Sequence, residues 1–284
     1  MTPLSDTQSG GNPVGQDVAL SRLFQFDLPR LKQSNQLFPE QGDTSATLRV
    51  LDIASGSGEW TISAAQAAPQ VQFVGIERDE RLVEQARSQA LAQGVENVNF
   101  IVMNPFQPLD LPAGSFDLIN ARYIVGMLPA SDWSNAIREF MRIARPGGIL
   151  RLTETDLPIT SSPALAQLGA LISQTYCQTK RSFSPDGRLL SVTPALKRLL
   201  QDAGCQDVQQ AVWTINFSTE MSAHTEVCQS LAQTYQLVLP FLVSNAAITQ
   251  EEAEQTYQQM LTQMQSERFD ALAFSLTVWG TTPS

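Results

Sequence analysis

Residues 50–60 read VLDIASGSGEW, an apolar run that takes in Asp52, breaks at Gly56 and Gly58, and passes without a linker into a helix-forming stretch. A strand handed directly to a helix opens a βαβ unit, because parallel strands cannot be joined by a tight hairpin and need a crossover helix. Glycine at such a turn also lets backbone amides approach a ligand with no Cβ in the way. By themselves Gly56, Ser57 and Gly58 fit a tight strand-to-helix turn without a ligand equally well in kind.

The chain repeats this alternation. Buried strands are predicted over 47–54 (TLRVLDIA), 71–77 (VQFVGIE), 97–104 (NVNFIVMN), 115–121 (SFDLINA) and 149–155 (ILRLTET). Between them, a helix from Asp79 to Gln93 places Leu82, Val83, Ala86 and Ala90 on one face and stops at Gly94. Another begins at Ser131, carries Ile137, Phe140, Met141 and Ala144, and is broken by Pro146-Gly147-Gly148. Further on, Leu165, Leu168, Ile172 and Tyr176 mark a helix, and Thr193, Pro194 and Gly204 read as cap, first helical position and end of the next. A strand over Val208 to Phe217 and a last one through Leu272, Phe274, Leu276 and Val278 flank two helices, the second opened by Thr249 with Glu252 at capping-box spacing. Strands alternating with helices in this way require a mostly parallel sheet covered on both faces, so the fold class is α/β, doubly wound, with seven strands.

Three regions follow: a Gly/Ser/Thr/Pro-rich start over 1–15 expected to be disordered, a helical cap over 16–45, and an α/β domain over 46–284 with a helical insertion at about 219–266. The insertion carries Val227, Leu231, Tyr235, Val238 and Leu242, then Ala253, Tyr257, Met260 and Met264, at helical spacing. Such a stripe forms core, a lid over the sheet edge, or a face against a second subunit.

With 18 Lys and Arg against 28 Asp and Glu, the net charge is −10, which argues against a phosphate-binding surface and a nucleic-acid substrate. Cys177, Cys205 and Cys228 are odd in number and far apart, so neither a disulfide framework nor a metal site is read from them. The start lacks the basic-then-apolar layout of a secretory signal and no long apolar run follows. A cytoplasmic protein with no membrane partner and no metal, monomeric or homodimeric, is expected.

The second strand ends in Glu77, which the topology sets beside the glycine turn at the carboxyl edge of the sheet. An acidic side chain there accepts from both hydroxyls of a ribose, or simply leads the following helix as a solvated carboxylate. An acidic residue, a glycine turn and a second acidic strand end in this order resemble the class I, Rossmann-like S-adenosylmethionine-dependent methyltransferases. Ala54 stands where that motif has its first glycine. The resemblance continues through SFDLINARYIVGML, the region around Trp133, RIARPGGILRLTETD and AFSLTVWGTTP, and covers residues 47–156 most fully.

The resemblance implies S-adenosylmethionine as cofactor and S-adenosylhomocysteine as product, an antiparallel last strand and a small-molecule acceptor, and the apolar stripes of the insertion, read as a lid, favour an acceptor of moderately apolar character. It implies a cofactor site of Asp52, Ala54, Ser55, Gly56, Gly58, Glu77 and Arg78, with Asn104, Pro105 or Phe106 at the adenine and Asn120 and Ala121 at the methionine portion. Asn104 takes the place of the family's usual aspartate, and a one-residue shift puts Pro105 there instead. Arg122 is a candidate for a substrate or cofactor carboxylate, or for a surface ion pair. His224, the only histidine, is a candidate general base, and Glu154 a candidate for orienting substrate. Two other readings compete. A nicotinamide oxidoreductase also uses a glycine turn and an acidic ribose binder, but Thr61 stands where its fingerprint has a small residue. A catalytically silent protein of the same fold is the other.

Overall fold

A computed structural model describes residues 47–245 and 247–283. The expected disordered start and N-terminal helical cap lie outside the described residues.

The sheet is built on β1 (Arg49–Ile53), β2 (Gln72–Glu77), β3 (Val98–Val102), β4 (Phe116–Arg122) and β5 (Ala144–Thr155), all parallel, in the spatial order β3-β2-β1-β4-β5. Order reverses at β1, so the crevice at the carboxyl ends of β1 and β4 is the topological switch point, where open α/β sheets hold ligands. The final strand, β8 (Ala271–Thr281), runs antiparallel to β5, to β7 (Gln206–Asn216) and to a two-residue β6 (Ile159–Thr160). Seven of these strands match the expected set. Ile159 and Thr160 are too short a run to carry a sequence period, which is why β6 was not read.

Helices α1 (Glu59–Ala67), α2 (Glu80–Ala92), α3 (Trp133–Ile143), α4 (Pro163–Gln178) and α5 (Leu196–Asp202) make the crossovers. In α2, Asp79 accepts the Arg81 amide at 3.0 Å and Gly94 follows the end at φ 65°, as its sequence requires. Two expectations need correction. The chain leaves α3 at Ile143, so Ala144 is already strand, and the Pro146-Gly147-Gly148 segment sits in an irregularity of β5 with Gly147 at φ 70°. Thr193 is not a cap either: Thr193–Ala195 form a 3-10 turn ahead of α5, with no side-chain cap hydrogen bond. Proline at the second position of a tighter turn satisfies the same spacing.

Helices α6 (His224–Ser244) and α7 (Gln250–Met264) lie in the chain between β7 and β8, where the insertion was expected. Thr249 and Glu252 form the full capping box, with reciprocal bonds of 3.2 and 3.1 Å. The apolar stripes of both helices are buried in the main core together with Leu165, Leu168, Ile172 and Tyr176 of α4. They are therefore core. Each fully buried large side chain contributes roughly 1.5–3 kcal/mol, which accounts for the regularity of their spacing. No described helix is long and apolar enough to cross a membrane.

Candidate cofactor site at the glycine turn

Ile53 ends β1, and the chain turns through Ala54 at φ 54°, Gly56 at φ 56° and Gly58 at φ 80° before α1 begins. The left-handed conformation costs an alanine on the order of 1–2 kcal/mol and glycine nothing comparable. Gly58 is further constrained from below: a Cβ there would lie 2.6 Å from Phe100 Cζ and 2.8 Å from Ala86 Cβ. Gly75 in β2 meets the same ring, its Cβ position 2.6 Å from Phe100 Cδ1. Phe100 of β3 thus fills the space beneath the turn, and the two glycines let the turn and β2 close onto it.

Glu77 stands beside the turn as its position in the sequence requires. Its Oε2 accepts the Gly56 N–H at 3.2 Å, and its Oε1 accepts from Arg78 at 2.7 Å and Asp79 at 3.1 Å. The carboxylate is buried, yet spare lone pairs remain on Oε2 for a hydroxyl donor. Ser55 holds the turn to β2 through its N–H to the Ile76 carbonyl at 3.0 Å, while its own hydroxyl is buried with no protein partner among the described residues.

Asp52 faces inward. Thr61 Oγ1 donates to its Oδ2 at 2.6 Å and Asn120 Nδ2 to its Oδ1 at 2.7 Å, so the carboxylate ties β1 to α1 and β4. Burial pushes its carboxyl upward from the usual aspartate range, against the opposing pull of Arg122 and these hydrogen bonds. Thr61, the residue that spoils the nicotinamide fingerprint, is fully buried in this role. Asp52 and Asn120 therefore brace the turn from beneath. Ala121, in register with Ile53, is packed in the core beside it.

At the third strand, Asn104 is exposed and its Oδ1 accepts the Phe106 amide at 3.0 Å; Pro105 is buried and Phe106 half-buried against the core. Met103 N–H donates to the Glu77 carbonyl at 2.9 Å, which brings this segment to the edge that Glu77 occupies.

Glu154 of β5 is buried, with Oε1 accepting the amides of Ile124 at 2.7 Å and Val125 at 3.2 Å and Oε2 buried with no partner among the described residues. Burial pushes its carboxyl up to about 8. It fixes the segment after β4, where Tyr123 sits at φ 54° and Gly126 at φ 83°. His224 opens α6 with Nδ1 3.0 Å from the Phe217 carbonyl, its ring against Phe269, and the Cys228 Sγ 3.6 Å away. No described contact brings His224 to the glycine turn. Sequence reading did not single out Trp60, Thr61 and Arg151 as partners of the site, because Thr61 meets Asp52, Arg151 meets Asn120 and Trp60 meets both Arg122 and Arg151 only once the strand register is known.

Residues 44–265, well over half of the chain, match the family described as methyltransferase domain. The chain belongs to that family. It is 28% identical over 141 residues to a demethylmenaquinone methyltransferase of Lactococcus lactis, covering 49% of this chain and 53% of that protein. A demethylmenaquinone methyltransferase of Geobacillus stearothermophilus is 31% identical over 111 residues, 39% of this chain and 46% of its own length. This methyltransferase chain thus spans about half the length of these relatives. Among solved structures, YcgJ of Bacillus subtilis superposes with a TM-score of 0.52 at 22% identity, covering 84% of this chain and 93% of its own. Phosphoethanolamine N-methyltransferase 2 of Haemonchus contortus, solved with S-adenosyl-L-methionine, gives 0.51 at 13% identity over 89% of this chain and 53% of its own. Both share the fold.

Proposed function

We propose that this methyltransferase domain transfers the methyl group of S-adenosylmethionine to a small-molecule acceptor. The observation that carries the reading is the Glu77 carboxylate fastened to the Gly56 amide at the switch point of the sheet. Gly56 at φ 56° lets the backbone of the turn lie close to a ligand, and Glu77 keeps acceptor capacity for a pair of ribose hydroxyls. Ser55 and Arg78 complete the wall around that carboxylate. Phe106, with Asn104 and Pro105, borders the same edge and supplies an apolar face for the adenine.

When bound, the sulfonium centre supplies a methyl carbon already activated for displacement. What remains for the chain is to align the acceptor's nucleophilic atom opposite the sulfur and to exclude water, and orientation alone can supply several kcal/mol of the barrier reduction. The segment after β4, fixed by Glu154 in its positioning role, would wall the acceptor's side of the site. His224, committed to the Phe217 carbonyl and set against the Phe269 ring, acts in the packing of the helical insertion rather than as a base. The named activity of the sequence relatives supports an electron-rich quinol-like acceptor, methylated at carbon or oxygen, and a nucleic acid does not suit a chain of net charge −10. Three unpaired cysteines fit a reducing compartment, and the reaction is assigned to the cytoplasm, to a monomer or homodimer.

The test is transfer of radiolabelled methyl from S-adenosylmethionine to a short-chain demethylmenaquinol, with a simple phenol as comparison. Labelled product supports the reading. Intact cofactor binding with no transfer to any acceptor supports a silent member of the family instead.

A further inference from the structure

The row of paired residues Asp52, Asn120 and Arg151 runs across β1, β4 and β5 on the face that α1 covers. Arg122, two residues beyond Asn120, projects from that same face one step closer to the carboxyl edge, alongside the start of the glycine turn. Its guanidinium carbon lies 5.1 Å from the centre of the Trp60 ring and 5.5 Å from that of Tyr123. Arg151 approaches Trp60 as well, at 5.8 Å, and its Nη1 reaches the Asn120 amide oxygen at 3.4 Å.

Two guanidiniums therefore gather around one indole at the entrance of α1, and one carboxylate, Asp52, lies near them. Both oxygens of that carboxylate are taken by Thr61 and Asn120, and neither arginine is hydrogen-bonded to a carboxylate among the described residues. Burial, with the like charge of Arg122, pulls Arg151 down to about 10. A half-buried pair of like charges at a ligand-binding edge is costly unless an anion neutralises it. The amides of the first turn of α1 add a positive end to the same spot.

We propose that Arg122, backed by Arg151, is the binding site for the α-carboxylate of the cofactor's methionine portion. This rests on the proposed use of S-adenosylmethionine. A guanidinium fork matches a carboxylate in a way that a lysine does not, and stacking on Trp60 holds the fork in one plane. Trp60 is then part of the site: it orients Arg122 and closes the sheet face beneath it. Arg151 is a positioning residue that reaches Asn120 and keeps the local field positive.

The test compares two ligands by calorimetric titration: S-adenosylhomocysteine and S-adenosyl-3-thiopropylamine, which differ only in the carboxylate. The wild-type chain is expected to bind the first about 10- to 100-fold more tightly, the range of a charge-assisted hydrogen-bond pair. Arg122→Met is expected to abolish that preference while leaving the affinity for the decarboxylated ligand within about threefold. Arg122→Lys, which keeps the charge and the stem over Trp60, is expected to retain part of it. Equal affinity of the wild type for both ligands overturns the proposal without any variant. So does a preference undiminished in Arg122→Met, and so does equal weakening of both ligands, the signature of packing alone. Failure of the wild type to bind either ligand would overturn the cofactor reading itself.

Discussion

Glu77 accepts the N–H of Gly56 at 3.2 Å, so the carboxylate that ends β2 is bonded to the turn that ends β1. The two halves of the proposed cofactor site are thus one hydrogen-bonded unit, and three amides share one carboxylate. Removing Glu77 affects the fold as well as the ligand, since each buried amide left unpaired costs roughly 1–3 kcal/mol. Glu77→Gln is the cleaner change. It is expected to weaken S-adenosylhomocysteine binding about 10- to 100-fold by calorimetry, with a smaller loss of thermal stability than Glu77→Ala.

Thr61→Val is close to isosteric and removes the 2.6 Å hydrogen bond to buried Asp52. A bond to a charged acceptor contributes on the order of 1.5–3 kcal/mol, and the expected loss lies in that range by urea denaturation. A loss under about 0.5 kcal/mol would show that Asn120 alone satisfies Asp52.

Gly58→Ala combines a left-handed backbone at φ 80° with a Cβ 2.6 Å from Phe100. Destabilisation of about 2 kcal/mol or more is expected, because neither strain has a local escape. The double variant with Phe100→Leu is expected to recover part of that loss, the clash with Phe100 being relieved and the contact with Ala86 and the φ strain not. A strictly additive pair in denaturant melts would place the strain in the backbone and the Ala86 contact instead of at Phe100.

Glu154 has its carboxyl raised to about 8 in the folded chain from an ordinary value near 4.5. Between those two values the unfolded chain has released a proton that the folded chain keeps, so folding stability falls as pH rises through that window. Thermal melts from pH 5 to 8.5 are expected to show this decline in the wild type and a flatter profile in Glu154→Gln, which cannot ionise. Parallel profiles would mean that Glu154 titrates normally.

Most of the fold was legible because strand and helix periods alternate cleanly from Arg49 to Thr155, and because Asp79, Gly94 and the Thr249–Glu252 pair punctuate helices by local chemistry. Where local signals were ambiguous the reading slipped: Thr193 and Pro194 suit a 3-10 turn as well as a helix start. That Gly56, Gly58 and Glu77 lie side by side was legible, since it follows from their positions at the ends of β1 and β2. Asp52, Asn120 and Arg122 were named one by one, but their grouping with Arg151 was not legible, because outside β4 the members are 29 or more residues apart and are brought together by the registry of three strands. The stripes on α6 and α7 read as core or lid from sequence, and only their burial against α4 decides for core.

The most direct test of the central claim is calorimetric titration of the chain with S-adenosylmethionine, S-adenosylhomocysteine and NAD. Saturable binding of both sulfur nucleosides, lost or much weakened in Glu77→Gln and absent for NAD, is the result expected. Binding of NAD alone, or of none of the three, would contradict the proposed function.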